Sequence, residues 1–167
     1  MHRTPDTPWL TVDERATWIR LAAVLELLPA ALDAQLRRAA GLTFFEYYLL
    51  AMLSEAPGRV LRMTALAQRT NATLPRLSHV VRRLEDRGLL ERAPAAEDRR
   101  ATNAHLTDAG WEAVVSAAPG HVTAVRRLVL DPLTAKQVSQ LHAIADALLS
   151  GLDPDGRLTD VPDPASA

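Results

Sequence analysis

Arginine is the residue type in this sequence whose number and spacing could do chemistry, because ten arginines fall between residues 59 and 100. Five carboxylates share that segment, which therefore carries a net charge of +5. The rest of the chain has nine basic and fifteen acidic residues, a net charge of −6. Guanidinium groups bind phosphates and base edges, so this asymmetry favours a segment that faces a polyanion. A solvated, arginine-rich surface explains the charge alone equally well.

Other kinds of functional chemistry find little support in the sequence. The chain has no cysteine, which excludes disulfides, zinc–thiolate sites and thiol nucleophiles. Neither a Ser–His–Asp order nor a glycine-rich phosphate loop is present, and the five histidines share no metal-ligand spacing. We therefore expect no enzyme activity, no metal and no cofactor. The histidines are His2, His79, His105, His121 and His142.

A predicted helix over residues 74 to 87 carries four of the arginines. Thr73 is its expected N-cap. Leu77, Val81 and Leu84 form a buried stripe, so that the charged residues between them face outward. A helix of this width fits the DNA major groove. The residues expected to contact bases or phosphates are Thr73, Pro75, Arg76, Ser78, His79, Arg82 and Arg83.

Two segments of strand length, residues 89 to 93 and 102 to 106, follow this helix and enclose a charged tip. The tip carries Arg99 and Arg100, which could enter an adjoining minor groove or form a solvated pair. A short helix, a tight turn, the outward-facing helix and this hairpin together predict a winged helix-turn-helix that binds double-stranded DNA.

Long apolar helices are expected on both sides of this segment. The first covers residues 13 to 40 and should kink or split at Pro29, and a later one starts after Thr107 and should be interrupted at Pro119. No apolar run reaches the roughly 18 residues of a membrane span, which predicts a soluble, cytoplasmic protein. The expected organisation is an irregular lead (1–12), N-terminal dimerisation helices (13–56), a winged helix-turn-helix (57–106), C-terminal dimerisation helices (107–151) and a disordered tail (152–167).

Three motifs in fixed order carry a family resemblance. They are RLEDRGLL at residues 83–90, EDRR at 97–100 and LTDAG at 106–110. With them, the chain resembles the MarR family of bacterial winged helix-turn-helix regulators over residues 14 to 149, approximately.

The resemblance implies a mostly α-helical winged helix-turn-helix with a wing of two to three short strands. It also implies a homodimer whose first and last helices interlock and whose two recognition helices meet a pseudo-palindromic operator. The family's wing arginine corresponds to Arg99, preceded by Asp98. Pro75 stands where many members have a small hydroxyl residue, so a thymine-methyl contact could replace a hydrogen bond there.

The sequence therefore predicts a homodimeric DNA-binding transcriptional regulator, a repressor. The alternative is a winged-helix module that binds a partner protein and no longer binds DNA, which the charge of the 59–100 segment disfavours. Some relatives bind small aromatic acids, and such an effector could be held by aromatic side chains, although aromatic residues at helical spacing are more often core. The candidate pocket residues are Trp18, Tyr47, Tyr48 and Trp111.

Overall fold

The structure, a computed structural model, describes residues 7–98 and 100–158. It contains six α-helices and three strands within those ranges, in the order α1, α2, β1, α3, α4, β2, β3, α5, α6. The helices are α1 (Val12–Ala40), α2 (Phe44–Glu55), α3 (Met63–Arg69), α4 (Leu74–Asp86), α5 (Asp108–Val125) and α6 (Ala135–Leu152). The strands are β1 (Val60–Arg62), β2 (Leu90–Pro94) and β3 (Thr102–Leu106).

The helix boundaries follow from residues that satisfy free backbone groups. Thr11, Thr43 and Thr134 each form a capping box at the start of α1, α2 and α6. Gly41 ends α1 in the left-handed conformation, with φ 63°, which glycine adopts without strain. A π-helical turn, Arg126–Leu130, extends α5 towards the connection with α6.

The split that the sequence allows at Pro29 and the interruption that it predicts at Pro119 are both absent from the structure. Pro29 does not split α1, which runs unbroken through it, and Pro119 does not interrupt α5. Each proline removes one backbone donor, and the hydrogen bonds on either side keep a helix of 29 or 18 residues continuous. The hydroxyl of Thr123 also donates to the carbonyl of Pro119 at 2.8 Å.

The sheet is antiparallel, with β3 in the centre and the order β1-β3-β2. Arg62 on β1 pairs with Asn103, and β2 pairs with β3 from Leu90–Leu106 to Pro94–Thr102. The described residues thus confirm the predicted mostly helical winged fold with a small wing sheet.

A single apolar core joins α2, α3, α4 and the sheet. Its fully buried side chains include Leu50, Leu66, Leu77, Leu84 and Leu90. The end of α1 and the start of α5 pack on this unit, which we call the lobe (residues 42 to 106).

The first half of α1 and all of α6, which we call the arms, have a different surface. Within the described residues α6 has no buried side chain, and it packs only sparsely on its own chain. The large apolar side chains exposed on the arms are Val12, Trp18, Ile19, Leu21, Val24, Leu25, Leu27, Val138, Leu141, Ile144, Leu148 and Leu152. Among the described residues, no helix combines the length and the apolar character that crossing a membrane requires.

Three sequence-based expectations concern residues outside the described ranges. They are the first half of the irregular lead (residues 1–6), most of the disordered tail (residues 159–167) and the role of Arg99.

Candidate nucleic-acid interface

The start of α4 is built by a tight turn after α3. The hydroxyl of Thr70 is buried and donates to the carbonyl of Leu66 at 2.7 Å, and Asn71 adopts a left-handed conformation with φ 47°. The backbone then extends to Thr73, whose hydroxyl accepts from the amide of Arg76 at 3.4 Å and caps α4. The polar face of α4 therefore begins at the surface of the lobe.

Residues of α4 fall on three faces besides the one that packs into the core. Leu77, Val80, Val81 and Leu84 are buried, as helical spacing predicts. The outermost stripe, opposite this core face, consists of exposed residues spaced by three or four positions. It contains Pro75, His79, Arg82 and Asp86.

One flank of α4 faces the first turn of α2 and holds three arginines. The guanidinium of Arg76 lies over the Phe45 ring, 4.6 Å from its centroid. Arg83 donates from Nη2 to Oε1 of Glu46 at 2.6 Å, and Nη1 of Arg87 lies 4.0 Å from Oε2 of the same carboxylate. These contacts fix the side chains of this flank against α2.

Glu46 is a buried carboxylate, with 4% of its surface exposed. Its Oε2 accepts from the amide of Thr43 at 2.8 Å as part of the capping box of α2. Burial acts to raise the pKa of Glu46, but hydrogen bonds from Thr43 and Arg83 outweigh it and hold that pKa below its ordinary value. The carboxylate is therefore ionised at neutral pH and provides a fixed negative charge beneath Arg83.

The opposite flank of α4 faces the wing and lines a cleft of about 460 Å³. We call it the wing cleft. Leu74 and Ser78 of α4 form one wall, and residues of the β1–α3 junction and of the wing form the rest. Its arginines are Arg62, Arg92 and Arg100.

Carboxylates pair with two of these arginines. Arg62 lies 3.3 Å from Oε2 of Glu97, whose side chain is almost fully exposed. Arg92 donates from two guanidinium nitrogens to Oε2 of Glu85, at 2.6 and 3.0 Å. The Arg62 pair is a surface contact, which typically contributes less than 1 kcal/mol, so a phosphate can compete for that arginine.

The sequence-based site residues are thus divided between these faces. Six predicted side chains stand exposed at or near the polar surface of α4, and Ser78 is half-buried in the wing cleft. Arg100 is exposed on the wing, and its amide donates to Oδ1 of Asp98 at 3.0 Å. The six exposed residues are Thr73, Pro75, Arg76, His79, Arg82 and Arg83.

Sequence reasoning missed Arg62 and Arg92 as members of the cleft. Arg62 reaches it because β1 pairs with β3, a contact between residues 41 positions apart in Arg62–Asn103. No local pattern reports such pairing. For Arg92, the two-residue alternation of β2 could have shown which side of the wing it occupies.

The four candidate effector residues do not all come together. Tyr47 packs against the ring of His121, with centroids 4.7 Å apart, and Tyr48 stacks on Phe44. Trp18 lies on the exposed half of α1, and Trp111, in the first turn of α5, stacks under the guanidinium of Arg59 at 4.2 Å. The structure thus joins the two tyrosines in one aromatic cluster on α2, and the two tryptophans lie on other elements.

Two polar atoms near this aromatic cluster have no hydrogen-bond partner among the described residues. They are Oε1 of Gln35 on α1 and Nδ1 of His121 on α5. The side chain of Gln35 packs closely on Gly120, the neighbour of His121. As for metals, the described part of the chain nowhere groups three or more His, Asp or Glu side chains as an ion would need.

The fold and this surface can be compared with known proteins. A family model described as "MarR family" matches residues 40–101. An HTH-type transcriptional repressor from Mycobacterium tuberculosis is 34% identical over 108 residues, which cover 65% of this chain and 76% of that protein.

Two solved structures from Streptomyces coelicolor resemble most of the chain. Sco3205, a MarR family transcriptional regulator crystallised in complex with DNA, is 42% identical with a TM-score of 0.86, over 95% of this chain and 98% of that one. AbsC, also a MarR family transcriptional regulator, is 36% identical with a TM-score of 0.83, over 87% of this chain and 98% of that one.

Proposed function

The chain belongs to the MarR family of transcriptional regulators, which are not enzymes, and from this premise we propose that it is a DNA-binding repressor. It would act as a homodimer on a pseudo-palindromic operator in double-stranded DNA. The observation that carries the proposal is the polar surface of α4, which has arginines on its outermost stripe and on one flank and an arginine-lined cleft on the other. The DNA complex of Sco3205 and the repressor name of the mycobacterial relative support it.

The division of α4 into faces suggests a division of labour in DNA binding. We assign base contacts in the major groove to Thr73, Pro75, Ser78 and His79, in the first two turns of α4. Phosphates would be bound by the arginines around them, because phosphate contacts position a protein while base contacts give specificity. The proposed phosphate-binding residues are Arg76, Arg82, Arg83 and Arg100, with Arg62 added from the wing cleft and Arg99 retained from the sequence.

The exposed apolar side chains of the arms are the basis for proposing a homodimer. An apolar groove of about 620 Å³ runs between α1 and α6, lined by side chains such as Val24, Leu27, Leu141 and Ile144. A monomer rarely exposes as many large apolar side chains as the arms do, and a second copy of the same helices would supply apolar partners for them. Dimerisation would also hold two α4 helices at the fixed spacing of two half-sites, roughly 34 Å.

A small aromatic effector is the third part of the proposal, and its site is the aromatic cluster rather than the four residues expected from the sequence. Tyr47 and His121 supply ring surface there, and the unpaired atoms of Gln35 and His121 could bind a polar substituent. A salicylate-like compound should weaken DNA binding by the wild type, and His121→Phe should abolish that response while DNA binding persists. An equal response in the wild type and the variant would show that the effector does not bind at this site.

Selection of genomic fragments with the purified protein tests the main proposal. The bound fragments should share an inverted repeat, and their affinity should fall steeply with salt as counterions are released from phosphates. Light scattering should give the mass of two chains. A flat salt titration, or no enriched fragment, would favour the alternative in which this winged fold binds a protein partner.

A further inference from the structure

We propose that Glu46 is a positioning residue for DNA binding and that it acts through Arg83. The inference rests on the proposed function, because it concerns how this chain would hold one of its phosphate-binding arginines. It concerns a residue of α2, outside the helix and wing that carry the proposed DNA contacts.

The carboxylate of Glu46 is held by its own helix. Oε2 accepts from the amide of Thr43, and the amide of Glu46 donates in return to the hydroxyl of Thr43 at 3.0 Å. The side chain is 5% exposed, so it has little freedom to move. Oε1 is therefore fixed in place before Arg83 binds to it.

Arg83 uses only part of its hydrogen-bonding capacity in binding this carboxylate. Nη2 donates to Oε1 of Glu46 at 2.6 Å, and 49% of the side chain remains exposed. A guanidinium has five N–H donors, so others are left for an oxyanion. An arginine already held in one conformation loses less rotamer entropy when it binds a phosphate.

The turn that carries Glu46 is anchored to α1 as well. Oδ1 of Asp33 accepts from the amide of Phe44 at 2.9 Å, in the same turn. The ring of Phe45, also in that turn, lies under the guanidinium of Arg76. The first turn of α2 thus orients two arginines of α4 and fixes them relative to the second half of α1, the helix whose first half is one of the arms.

A carboxylate beside a DNA-binding arginine can act in two opposite ways. If it positions the arginine, removing its charge weakens DNA binding. If it only competes with the phosphate, removing its charge frees the arginine and tightens binding. If the carboxylate serves only the stability of the lobe, removing its charge changes DNA binding to the same extent whether or not Arg83 is present.

The experiment is a double-mutant cycle on operator affinity with Glu46→Gln and Arg83→Ala. Glutamine at this position keeps the capping box with Thr43, so the variant removes the charge and spares the start of α2. We expect Glu46→Gln to raise the Kd about fivefold to tenfold, a coupling usual for contacting side chains. In the Arg83→Ala background the same change should alter the Kd less than twofold.

Two further variants complete the design. Arg83→Lys keeps the charge but loses the forked geometry, so it should weaken binding like Glu46→Gln while the salt dependence keeps its slope. Asp131→Asn is the matched control, because it also removes one carboxylate from an ion pair, that with Arg126 at 2.9 Å, in the connection between α5 and α6. It should leave the Kd unchanged, and circular dichroism should confirm that all variants are folded.

Each outcome decides the inference. Tighter binding by Glu46→Gln, or equal effects of this change in both backgrounds, would overturn it and leave the proposed function intact. A wild-type protein that binds no DNA would overturn the proposed function itself. Weaker binding that depends on Arg83 supports the positioning role.

Discussion

The lobe and the arms of this chain differ in how far they bury their apolar side chains. The lobe closes a core of its own, with leucines from α2, α3, α4 and the sheet fully buried. The arms are also rich in leucine, isoleucine, valine and tryptophan, but these side chains are exposed. The lobe therefore buries its core within one chain, whereas under the proposed function the arms would be covered by a second copy.

The same contrast holds for charge. In the lobe, Glu46 and Glu85 each bind arginines at distances down to 2.6 Å. On α6, the contact of His142 with Asp146 is exposed and lies within one helix. Polar contacts thus organise the surface of the lobe, whereas the arms expose mainly apolar side chains, which we expect a second copy of the chain to cover.

The largest effect should come from placing a charge in the groove of the arms. Ile144→Arg puts a guanidinium among apolar side chains of α6, so dimers should dissociate into monomers. Operator affinity should then fall by about a hundredfold or more, because the two half-sites are no longer linked. Sedimentation and operator titration measure the two effects.

Ser150→Arg is the control for that variant, since it introduces the same side chain on the opposite, polar face of α6. It should remain dimeric. A dimeric Ile144→Arg protein with full affinity would mean that the groove of the arms is not the dimer interface.

The second prediction contrasts a leucine of the lobe with a leucine of an arm. Leu77→Ala leaves a cavity in a closed core and should lower the free energy of unfolding by about 2–5 kcal/mol. Leu27→Ala, at a position 68% exposed in one chain, should act through association, so its effect should shrink as protein concentration rises. Denaturant unfolding at several protein concentrations distinguishes the two variants. If both depend on protein concentration to the same extent, the proposed difference between lobe and arms is contradicted.

A smaller effect, confined to binding, is expected at Arg82 on the outermost stripe of α4. Arg82→Ala should weaken operator binding by a few kcal/mol at most and reduce the salt slope by about one unit, as loss of one phosphate contact does. Stability should hardly change, because the side chain is exposed. Fluorescence anisotropy at several salt concentrations is the measurement, with Arg38→Ala, on the end of α1, as the control.

The smallest effect concerns pH where α5 packs on the lobe, at the contact of His121 with Tyr47 and Phe44 of α2. Burial lowers the pKa of His121 from its ordinary 6.5, so the unfolded chain binds more protons than the folded one just below that pH. The free energy of unfolding should therefore fall as the pH drops below 6.5, by less than about 1.4 kcal/mol per pH unit.

In His121→Phe, this part of the pH dependence should disappear, whereas His79→Gln, on the exposed stripe of α4, should retain it. Unfolding curves between pH 5 and pH 8 provide the measurement. A wild-type protein whose stability does not change across this interval would contradict the burial of the imidazole.

The elements that the sequence predicted well are those defined by local patterns. Thr73, the leucine stripe of α4 and the turn residues of the wing lie close together in the chain, so capping and periodicity locate them. The continuity of α1 and α5 through their prolines does not follow from the local pattern, because it depends on the hydrogen bonds of the long helix on either side. Pro29 lies inside a helix of 29 residues, which tolerates the loss of a hydrogen bond.

The parts of the candidate site that the sequence did not predict depend on distant pairs. Glu46 and Arg83 are 37 positions apart, and Arg62 meets Glu97 across 35. Neither spacing has a periodic signature, because both follow from how α2 and β1 pack on the rest of the lobe. The acidic partners that hold the arginines are consequently visible only in three dimensions.

The close packing at Gly110 has a mechanical consequence. A Cβ at this position would lie 2.0 Å from the carbonyl oxygen of Leu89, so the first turn of α5 rests directly on the backbone that enters β2. At the same point the hydroxyl of Thr107 donates to the carbonyl of Gly88 at 2.7 Å, and β3 runs into α5 without a loop. The close contact and this hydrogen bond couple the start of α5 to the stem of the hairpin, so we expect a tilt of α5 to displace the wing with it.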